Sequence, residues 1–387
     1  MNEHDSRRVE DLLLGQGYAL TNDPEEADVL LFNTCSVRKH AEDRVFGKVG
    51  DLKKIKKQRP EVIFGILGCM AEAQKDLIFR KLPHVDFLCG PADLDRVPEI
   101  LERIRGGSGH IICLEGYKSK RIPGFSEKRS AGDAAYVKIM EGCDNFCAYC
   151  IVPYVRGRER SRSSKEILSE VKGLVDKGVK RIMLLGQNVN SYGKGLKEKI
   201  SFSELLRKID SMIKRDCFGL RPRNDISSLA MTDVKIDFMT SHPKDAGMDL
   251  FKAIGELKSL SKQLHLPLQS GSNKVLKQMN RGYTIEKYKK LVKDFRKTVK
   301  NGIIMSDFIV GFPGETKKDF EDTLKAVKEL QFGAAYIFKY SARPFTKASK
   351  FKDDVPQEEK ERRHKVLLET QKKISKRLLR PPSADSQ

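Results

Sequence analysis

EGCDNFCAYCIVP, at residues 141–153, is the stretch that decides how the rest of the chain is interpreted. Its three cysteines, Cys143, Cys147 and Cys150, have the spacing C-x3-C-x2-C and follow an apolar, strand-like run at 135–140. Three thiolates in one loop can hold an iron–sulfur cluster and leave one iron open to a group that is not protein. An open iron at a strand end indicates a site for chemistry.

Structural zinc and buried thiols are the alternatives for this trio of cysteines. Zinc would need a fourth Cys or His nearby, and no histidine lies between His110 and His242. A disulfide framework does not suit a chain of 387 residues that has only 8 cysteines and no signal peptide. The spacing therefore favours an iron–sulfur cluster.

Composition describes a globular chain, with 39% hydrophobic and 33% charged residues. Its length is sufficient for two or three domains with cores of their own. The longest apolar stretch, at 62–71, is about half of what spans a bilayer. The first residues lack the charged-then-apolar layout of a secretion signal. We therefore expect a cytoplasmic protein that does not enter a membrane.

Basic residues outnumber acidic ones by 74 to 53, which gives a formal net charge of +21. A lysine-rich surface alone leaves nucleic-acid binding open, because it also serves solubility. Arginines alternate just after the cysteine loop, at positions 156, 158, 160 and 162. A solvated face explains many such runs, but beside a predicted cluster we favour a strip that contacts phosphates.

The first hundred residues alternate between strand and helix patterns, which predicts a small α/β domain with a parallel sheet over residues 1–105. Cys35, Cys69 and Cys89 each follow a predicted strand, at the edge where such sheets place ligand sites. The predicted strands are 27–32, 62–67 and 85–88, and the predicted helices are 7–15, 38–57, 71–80 and 92–105.

A Gly/Ser/Lys-rich linker is predicted at 106–131, and strand–helix alternation resumes over 132–345. Six such units predict a partial (β/α)6 TIM-like barrel with its chemistry at the carboxyl ends of the strands. Residues 346–387 are predicted to be a basic helical tail. The predicted barrel strands are 135–140, 180–185, 234–239, 263–266, 303–310 and 334–340.

Polar motifs follow five of these barrel strands. Taken singly, the GFPGE sequence at 311–315 is explained as a turn, QSG at 269–271 as a helix cap, and His242 as a turn histidine. Their convergence on one rim of the barrel is harder to explain that way, and it favours a site.

Several of these motifs resemble those of the radical S-adenosylmethionine methylthiotransferases, in particular the tRNA-modifying MiaB type. The barrel would then be a radical S-adenosylmethionine domain, and the resemblance extends from residue 1 to about residue 379. The motifs that carry it are NTCSVR at 33–38, LGCMA at 67–71, EGCDNFCAYCIVP at 141–153, RGRE at 156–159, LLGQNVNSY at 184–192, LHLPLQSGS at 264–272, MNRGYT at 279–284 and SDFIVGFPGET at 306–316.

The resemblance implies that Cys143, Cys147 and Cys150 hold a [4Fe–4S] cluster whose open iron chelates S-adenosylmethionine. A 5′-deoxyadenosyl radical would then remove hydrogen from C2 of an N6-isopentenyladenosine next to the anticodon in tRNA. Cys35 and Cys69 would belong to an auxiliary [4Fe–4S] cluster that supplies sulfur. A second S-adenosylmethionine would supply the methyl group.

Further site residues are implied by the same resemblance. RNA phosphates would be contacted by Arg156, Arg158 and Arg160. Cofactor contacts would come from Tyr149, Gln187, Asn188, Gln269, Ser270, Asp307, Gly311, Pro313, Gly314 and Glu315.

The sequence departs from the family pattern at both ends. The family's first auxiliary-cluster cysteine and its strand have no counterpart, so the second cluster would need a substitute ligand such as Cys89. Cys89, Cys113 and Cys217 are otherwise expected to be buried structural thiols. The family's carboxy-terminal RNA-binding β-barrel also has no counterpart.

The expected partners are the tRNA anticodon loop and an electron donor such as flavodoxin or ferredoxin, with the chain itself a monomer. Two other functions stay open. One is methylthiolation of threonylcarbamoyladenosine in tRNA, and the other is a truncated RNA-binding iron–sulfur protein without full activity.

Overall fold

A computed structural model describes residues 1–36, 39–114, 116, 133–218 and 234–378, with residues 215–218 described by their backbone alone. The chain forms two compact units. The amino-terminal unit comprises Met1–Ser130, Glu141–Asp144 and Cys150–Arg160. The barrel unit comprises Ala131–Met140, Asn145–Tyr149 and Ser161–Gln387.

The amino-terminal unit contains a parallel sheet, as predicted, but with four strands where three were expected, in the order β1-β2-β3-β4. Its strands are β1 (Val29–Asn33), β2 (Ile63–Leu67), β3 (Phe87–Cys89) and β4 (Ile111–Cys113). Its helices are α1 (Asn2–Leu14), α2 (Lys39–Asp51), α3 (Lys53–Gln58), α4 (Cys69–Lys81) and α5 (Val97–Arg105).

Strand β2 shows why this segment becomes a central strand. All five of its residues are buried, as expected for a parallel strand that is covered on both faces. Ile63 and Leu67 pack into the core that contains Val9 of α1. Phe64 and Ile66 pack into the opposite core with α2, α3 and α4, because side chains alternate between the faces of a strand.

Two predictions for this unit were wrong. The predicted linker contains a strand, β4, whose three residues are too few for a clear pattern and whose Ile112 is exposed. The predicted single helix at 38–57 is two helices that meet at Leu52. Residue 115 and residues 117–131 of the predicted linker lie outside the described residues.

The six predicted barrel strands are confirmed, with ends that differ by at most two residues. They form two three-stranded parallel sheets, β5-β8-β9 and β10-β11-β12. The strands from residue 134 onward are β5 (Ala134–Lys138), β6 (Met140–Glu141), β7 (Arg160–Ser161), β8 (Arg181–Leu185), β9 (Lys235–Phe238), β10 (Gln263–His265), β11 (Ile303–Val310) and β12 (Ala334–Lys339).

Helices separate most of these strands, and one core joins strands and helices of the barrel unit. The helices are α6 (Val152–Val155), α7 (Ser164–Asp176), α8 (Phe202–Phe218), α9 (Met248–Glu256), α10 (Asn273–Gln278), α11 (Ile285–Thr298), α12 (Lys317–Leu330) and α13 (Gln357–Leu378).

Helix α13 is part of the barrel unit and not a separate basic tail, which corrects the predicted boundary at residue 345. Leu367 and Ile374 are buried in the barrel core. Gln371 donates from Nε2 to the Phe332 carbonyl at 2.8 Å. Apolar residues seven apart lie on one face of a helix, and Val366 and Leu368 pack against the same core beside them.

Candidate active site

Cys147 is the buried member of the cysteine trio. In the barrel unit its sulfur accepts a hydrogen bond from Nη1 of Arg281 at 3.2 Å, and Nε2 of His242 lies 3.9 Å away. The loop around it is held by backbone contacts. Ala148 donates its N–H to the Met279 carbonyl at 2.9 Å, and Asn280 donates from Nδ2 to the Phe146 carbonyl at 3.0 Å.

Arg281 is only 4% exposed. In the described part of the chain, no carboxylate is among its hydrogen-bond partners. Its other donors reach the hydroxyls of Tyr283 at 2.9 Å and Tyr149 at 3.3 Å, and the Pro267 carbonyl at 2.9 Å. A buried cation needs charge compensation, and hydrogen bonds between ions are stronger than neutral ones. This environment therefore stabilises negative charge on the Cys147 sulfur, as a metal ligand requires.

His242 presents a neutral ring to the same sulfur. Burial, assisted by the positive charges of Arg281, Lys244 and Lys194, lowers the pKa of His242 to about 2. Its Nδ1 accepts the Lys244 N–H at 3.2 Å, so the ring proton sits on Nε2, which faces Cys147. The sequence alone indicated a turn histidine at this position. It did not predict that His242 would lie beside Cys147.

Cys143 and Cys150 belong to the amino-terminal unit, where both are half-buried. Gly142 sets the start of the loop, because a Cβ at its φ of +79° would lie 2.1 Å from the Arg158 carbonyl oxygen. The Cys143 N–H donates to the Gly157 carbonyl at 3.2 Å.

Within the described ranges, no three His, Cys, Asp or Glu side chains are grouped closely enough to hold a metal ion. Ligation of a cluster by the trio therefore stays a prediction. The donor set itself fits an iron–sulfur cluster, since three thiols in one loop are the ligands such clusters take.

Cys35 and Cys69 both lie in the amino-terminal unit, and their role as auxiliary-cluster ligands stays a prediction. Burial raises the pKa of the Cys69 thiol to about 11; Arg156 opposes that rise and Cys35 adds to it. Cys69 is the first residue of α4 and is 3% exposed. The two thiols are thus electrostatic neighbours.

Cys89 and Cys113 are buried thiols of the sheet core, as expected. They are register partners on β3 and β4, and the substitute-ligand role of Cys89 stays a prediction. The Cys217 side chain lies outside the described residues.

Glu72, one turn after Cys69, makes the stability of this unit depend on pH. Burial, followed by the charge of Asp93, raises the pKa of Glu72 to about 6 from an ordinary 4.5. The folded state therefore binds this proton more tightly than the unfolded state does. The stabilisation of the folded state by protonated Glu72 is complete below pH 4.5 and is lost as pH rises to about 6. Partial exposure limits the effect to about 1 kcal/mol.

We expect Glu72→Gln to remove that dependence. Between pH 4.5 and about pH 6 the unsubstituted protein should lose about 1 kcal/mol of unfolding free energy that the Glu72→Gln variant does not lose. Denaturant titrations at both pH values measure it. Asp93→Asn should weaken the dependence. Equal slopes with pH for Glu72→Gln and the unsubstituted protein would contradict the assignment.

Three predicted cofactor contacts have the chemistry of a ligand site. Gln269 and Glu315 each have a buried Oε1 with no hydrogen-bond partner among the described residues. Asp307 accepts a hydrogen bond from His265 Nε2 at 3.0 Å, and its carboxylate is partly exposed. Buried polar atoms are normally satisfied, so the orphaned oxygens of Gln269 and Glu315 fit a polar ligand such as S-adenosylmethionine.

Asn188 and Ser270, by contrast, are used inside the protein. Asn188 Oδ1 accepts a hydrogen bond from the main-chain N–H of His242 at 3.1 Å, and Asn188 Nδ2 donates to the Asp245 carboxylate at 2.7 Å. Ser270 is fully buried against Thr323, at 3.3 Å between hydroxyls. Both side chains brace the loops of the rim. Gln187 is half-buried beside them.

The GFPGE turn at 311–315 is held closed by its own glutamate. The Gly311 N–H donates to the Glu315 carboxylate, the Gly314 N–H donates to Asp354 at 2.7 Å, and Pro313 is buried. Arg363 of α13 donates to Glu315 Oε2 at 2.7 Å. The turn thus depends on a helix that the sequence placed outside the barrel.

The arginines after the cysteine loop differ in environment. Arg156 is buried and bonded to Asp5 and Glu141, which corrects the expectation that it contacts phosphate. Arg158 has a side chain that is 73% exposed. Arg160 is largely buried and lies 3.4 Å from Glu141. Of the four arginines, only Arg158 exposes most of its side chain to solvent.

None of the helices in the described residues has the length and apolar character needed to cross a bilayer.

Comparison with family models finds two matches along the chain. The Radical SAM superfamily matches residues 137–327. An uncharacterized protein family, UPF0004, matches residues 1–90.

Three clostridial proteins with one name are similar over nearly the whole chain, and the chain covers about four fifths of each. All are called tRNA-2-methylthio-N(6)-dimethylallyladenosine synthase. That of Clostridium novyi (strain NT) is 45% identical over 97% of the chain and 80% of its own length. Those of Clostridium botulinum (strain Hall) and Clostridium beijerinckii are 42% and 43% identical, over 97% and 95% of the chain and 80% and 78% of their own lengths.

Solved structures share the fold at low sequence identity. The radical S-adenosylmethionine methyltransferase TsrM from Kitasatospora setae aligns with a TM-score of 0.64 and 13% identity, over 90% of this chain and 72% of that one. The cobalamin-dependent S-adenosylmethionine radical enzyme OxsB aligns with a TM-score of 0.52 and 11% identity, over 96% of this chain and 50% of that one.

Proposed function

The chain belongs to the tRNA-2-methylthio-N(6)-dimethylallyladenosine synthase family of the Radical SAM superfamily, and on this premise we propose that it installs a methylthio group on C2 of N6-dimethylallyladenosine in tRNA. The modified base is the N6-isopentenyladenosine next to the anticodon. The chain is accordingly a sulfur-transferring transferase that uses [4Fe–4S] clusters and S-adenosylmethionine.

The environment of the Cys147 sulfur carries this proposal. A buried cation and a neutral histidine face that sulfur, and no carboxylate competes for Arg281 within the described residues. Donors aimed at a thiolate are the support that metal ligands characteristically receive. A plain buried neutral thiol would leave the charge on Arg281 uncompensated.

Residue roles follow from this environment and from the family. We assign Cys143, Cys147 and Cys150 to the radical cluster, and Cys35 and Cys69 to the auxiliary one. When bound, the radical cluster and S-adenosylmethionine supply one-electron chemistry that removes hydrogen from an unactivated C–H bond.

The protein's own residues position that chemistry. Arg281 and His242 hold the Cys147 sulfur, while Gln269, Asp307 and Glu315 offer oxygen atoms to the cofactor. Tyr149 is tied to Arg281 through its hydroxyl.

RNA binding is assigned to the exposed Arg158, with Arg160 contributing where its side chain reaches the surface. The net charge of +21 supports attraction to a polyanion. We also propose that a small one-electron donor, such as flavodoxin or ferredoxin, reduces the cluster, and that the chain acts as a cytoplasmic monomer.

The test is an anaerobic assay on two anticodon stem-loop RNAs, one with N6-isopentenyladenosine and one with threonylcarbamoyladenosine. We expect mass spectrometry of digested nucleosides to find the methylthio product of the first alone. Product from the second alone would move the chain to the sister substrate. RNA binding without 5′-deoxyadenosine would overturn the enzymatic assignment.

A further inference from the structure

Arg156 occupies a position unlike that of the other arginines after the cysteine loop. Within the amino-terminal unit it donates from Nε to the Cys69 sulfur at 3.2 Å. Its Nη1 donates to Glu141 and its Nη2 to Asp5, each at 2.8 Å. All three nitrogens of the guanidinium are therefore committed, and the side chain is only 3% exposed.

Local structure explains how the chain delivers this guanidinium to a sulfur. The short helix α6 has Pro153 in its first turn, where proline is favoured. Ile151 and Val155 of this segment pack against Cys69 and Ala73 of α4. The helix ends at Arg156, and Gly157 follows with φ of +72°, so the chain turns away and leaves the arginine facing the start of α4.

The two carboxylates fix the guanidinium in place. Asp5 comes from α1 and Glu141 from β6, and their side chains are 1% and 4% exposed. With Glu141 holding Nη1 and Asp5 holding Nη2, the planar guanidinium is oriented so that its Nε–H donates to the Cys69 sulfur at 3.2 Å. Charge-assisted contacts of this kind have well-defined geometry.

We propose that Arg156 is a positioning residue for the auxiliary cluster, which it serves by donating a hydrogen bond from Nε to the Cys69 sulfur ligand. The inference rests on the proposed assignment of Cys69 to that cluster. Hydrogen bonds to ligating sulfurs raise the reduction potential of iron–sulfur clusters, as does nearby positive charge. Groups in this role also contribute about 10–100-fold to metal retention.

The test uses the full chain with Cys147→Ala, in which the radical cluster is removed and about four irons per chain would report the auxiliary cluster. Arg156→Gln and Arg156→Lys are each introduced separately into this Cys147→Ala background. We expect Arg156→Gln to lose iron to a chelator about 10–100-fold more readily. Its midpoint potential should fall by about 59 mV, the equivalent of a tenfold change in a one-electron couple. Arg156→Lys should restore part of both.

Two further variants keep the test decisive. Arg162→Gln is the matched control, because Arg162 is also buried against a carboxylate, Glu170 at 2.7 Å, but donates to no sulfur in the described structure; we expect its potential to stay unchanged. If Arg156→Gln does not fold, Arg156→Gln with Asp5→Asn removes the charge left uncompensated at Asp5 while still lacking the sulfur donor.

Each result then has one meaning. A folded Arg156→Gln variant, alone or with Asp5→Asn, that keeps the potential and the iron of its parent overturns the role of Arg156 while the cluster assignment stands. Absence of any cluster in the Cys147→Ala parent overturns the auxiliary site itself, and the inference with it.

Discussion

Cys147→Ala is expected to reduce 5′-deoxyadenosine formation to background in an anaerobic assay with S-adenosylmethionine, a reductant and RNA. Two thiolates in the loop do not suffice to retain a four-iron cluster with one open site. The substitution also removes the acceptor of the Arg281 hydrogen bond and leaves that cation buried among neutral groups. Iron content should fall by about four per chain if two clusters are bound.

The matched control is Cys113→Ala, which removes a buried thiol from the sheet core of the amino-terminal unit. It should keep iron content and product formation near those of the unsubstituted protein. Undiminished turnover by Cys147→Ala would refute the assignment of the trio. Equal losses in both variants would point to folding and not to ligation.

Arg363→Met is expected to lower the free energy of unfolding by about 3–5 kcal/mol, since it leaves a buried charge without its partner. The Glu315 carboxylate is completely buried, and Arg363 Nη1 donates to its Oε2 at 2.7 Å and to its main-chain carbonyl at 2.9 Å. Burial also raises the pKa of Glu315. Denaturant unfolding followed by circular dichroism measures the loss.

The neighbouring Arg362 supplies the control, because its side chain is half exposed and pairs with Glu359. Arg362→Met should leave the unfolding midpoint nearly unchanged. Adding Glu315→Gln to Arg363→Met should recover part of the stability by removing the buried charge. A loss as small as that of Arg362→Met would show that Glu315 is solvated or protonated when its partner is absent.

The periodic parts of the fold were predictable from sequence. A parallel strand that is buried on both faces is a continuous apolar run, and 62–67 became β2 with little change. Residues 303–310 became β11, whose burial alternates along the strand. The three-residue β4 carries too little pattern, and its exposed Ile112 resembles a loop residue. Helix α13 is so rich in charge that its few docking side chains, Leu367 and Ile374 among them, do not stand out.

The candidate site was predictable where chemistry depends on spacing and not where it depends on long-range contacts. Cysteine spacing predicted Cys143, Cys147 and Cys150 as candidate ligands, and the predicted strand ends placed Cys35 and Cys69 in one unit. The partners of the sulfurs, Arg281 and Arg156, come from positions 134 and 87 residues away in sequence. The MNRGYT motif at 279–284 held the only signal for Arg281.

Arg156 shows that a positively charged side chain near a predicted site is not sufficient evidence for contact with phosphate. Alternating arginines beside a basic surface predict contact with phosphate, but a guanidinium pairs equally well with protein carboxylates. Asp5 precedes it by 151 residues, and no local pattern links the two. Burial separated Arg156 and Arg162 from Arg158, a distinction that depends on tertiary structure.

The two compact units are not two consecutive pieces of the gene, because the chain passes from one to the other five times, after residues 130, 140, 144, 149 and 160. A fragment that stops at residue 130 would carry Cys35 and Cys69 but lack the Arg156 guanidinium and the apolar cover of Ile151 and Val155. A chimera of two relatives joined at a single crossover there would combine Cys69 from one parent with its arginine from the other. Such proteins can be recombined safely only if residues 141–160 are inherited together with the amino-terminal sequence.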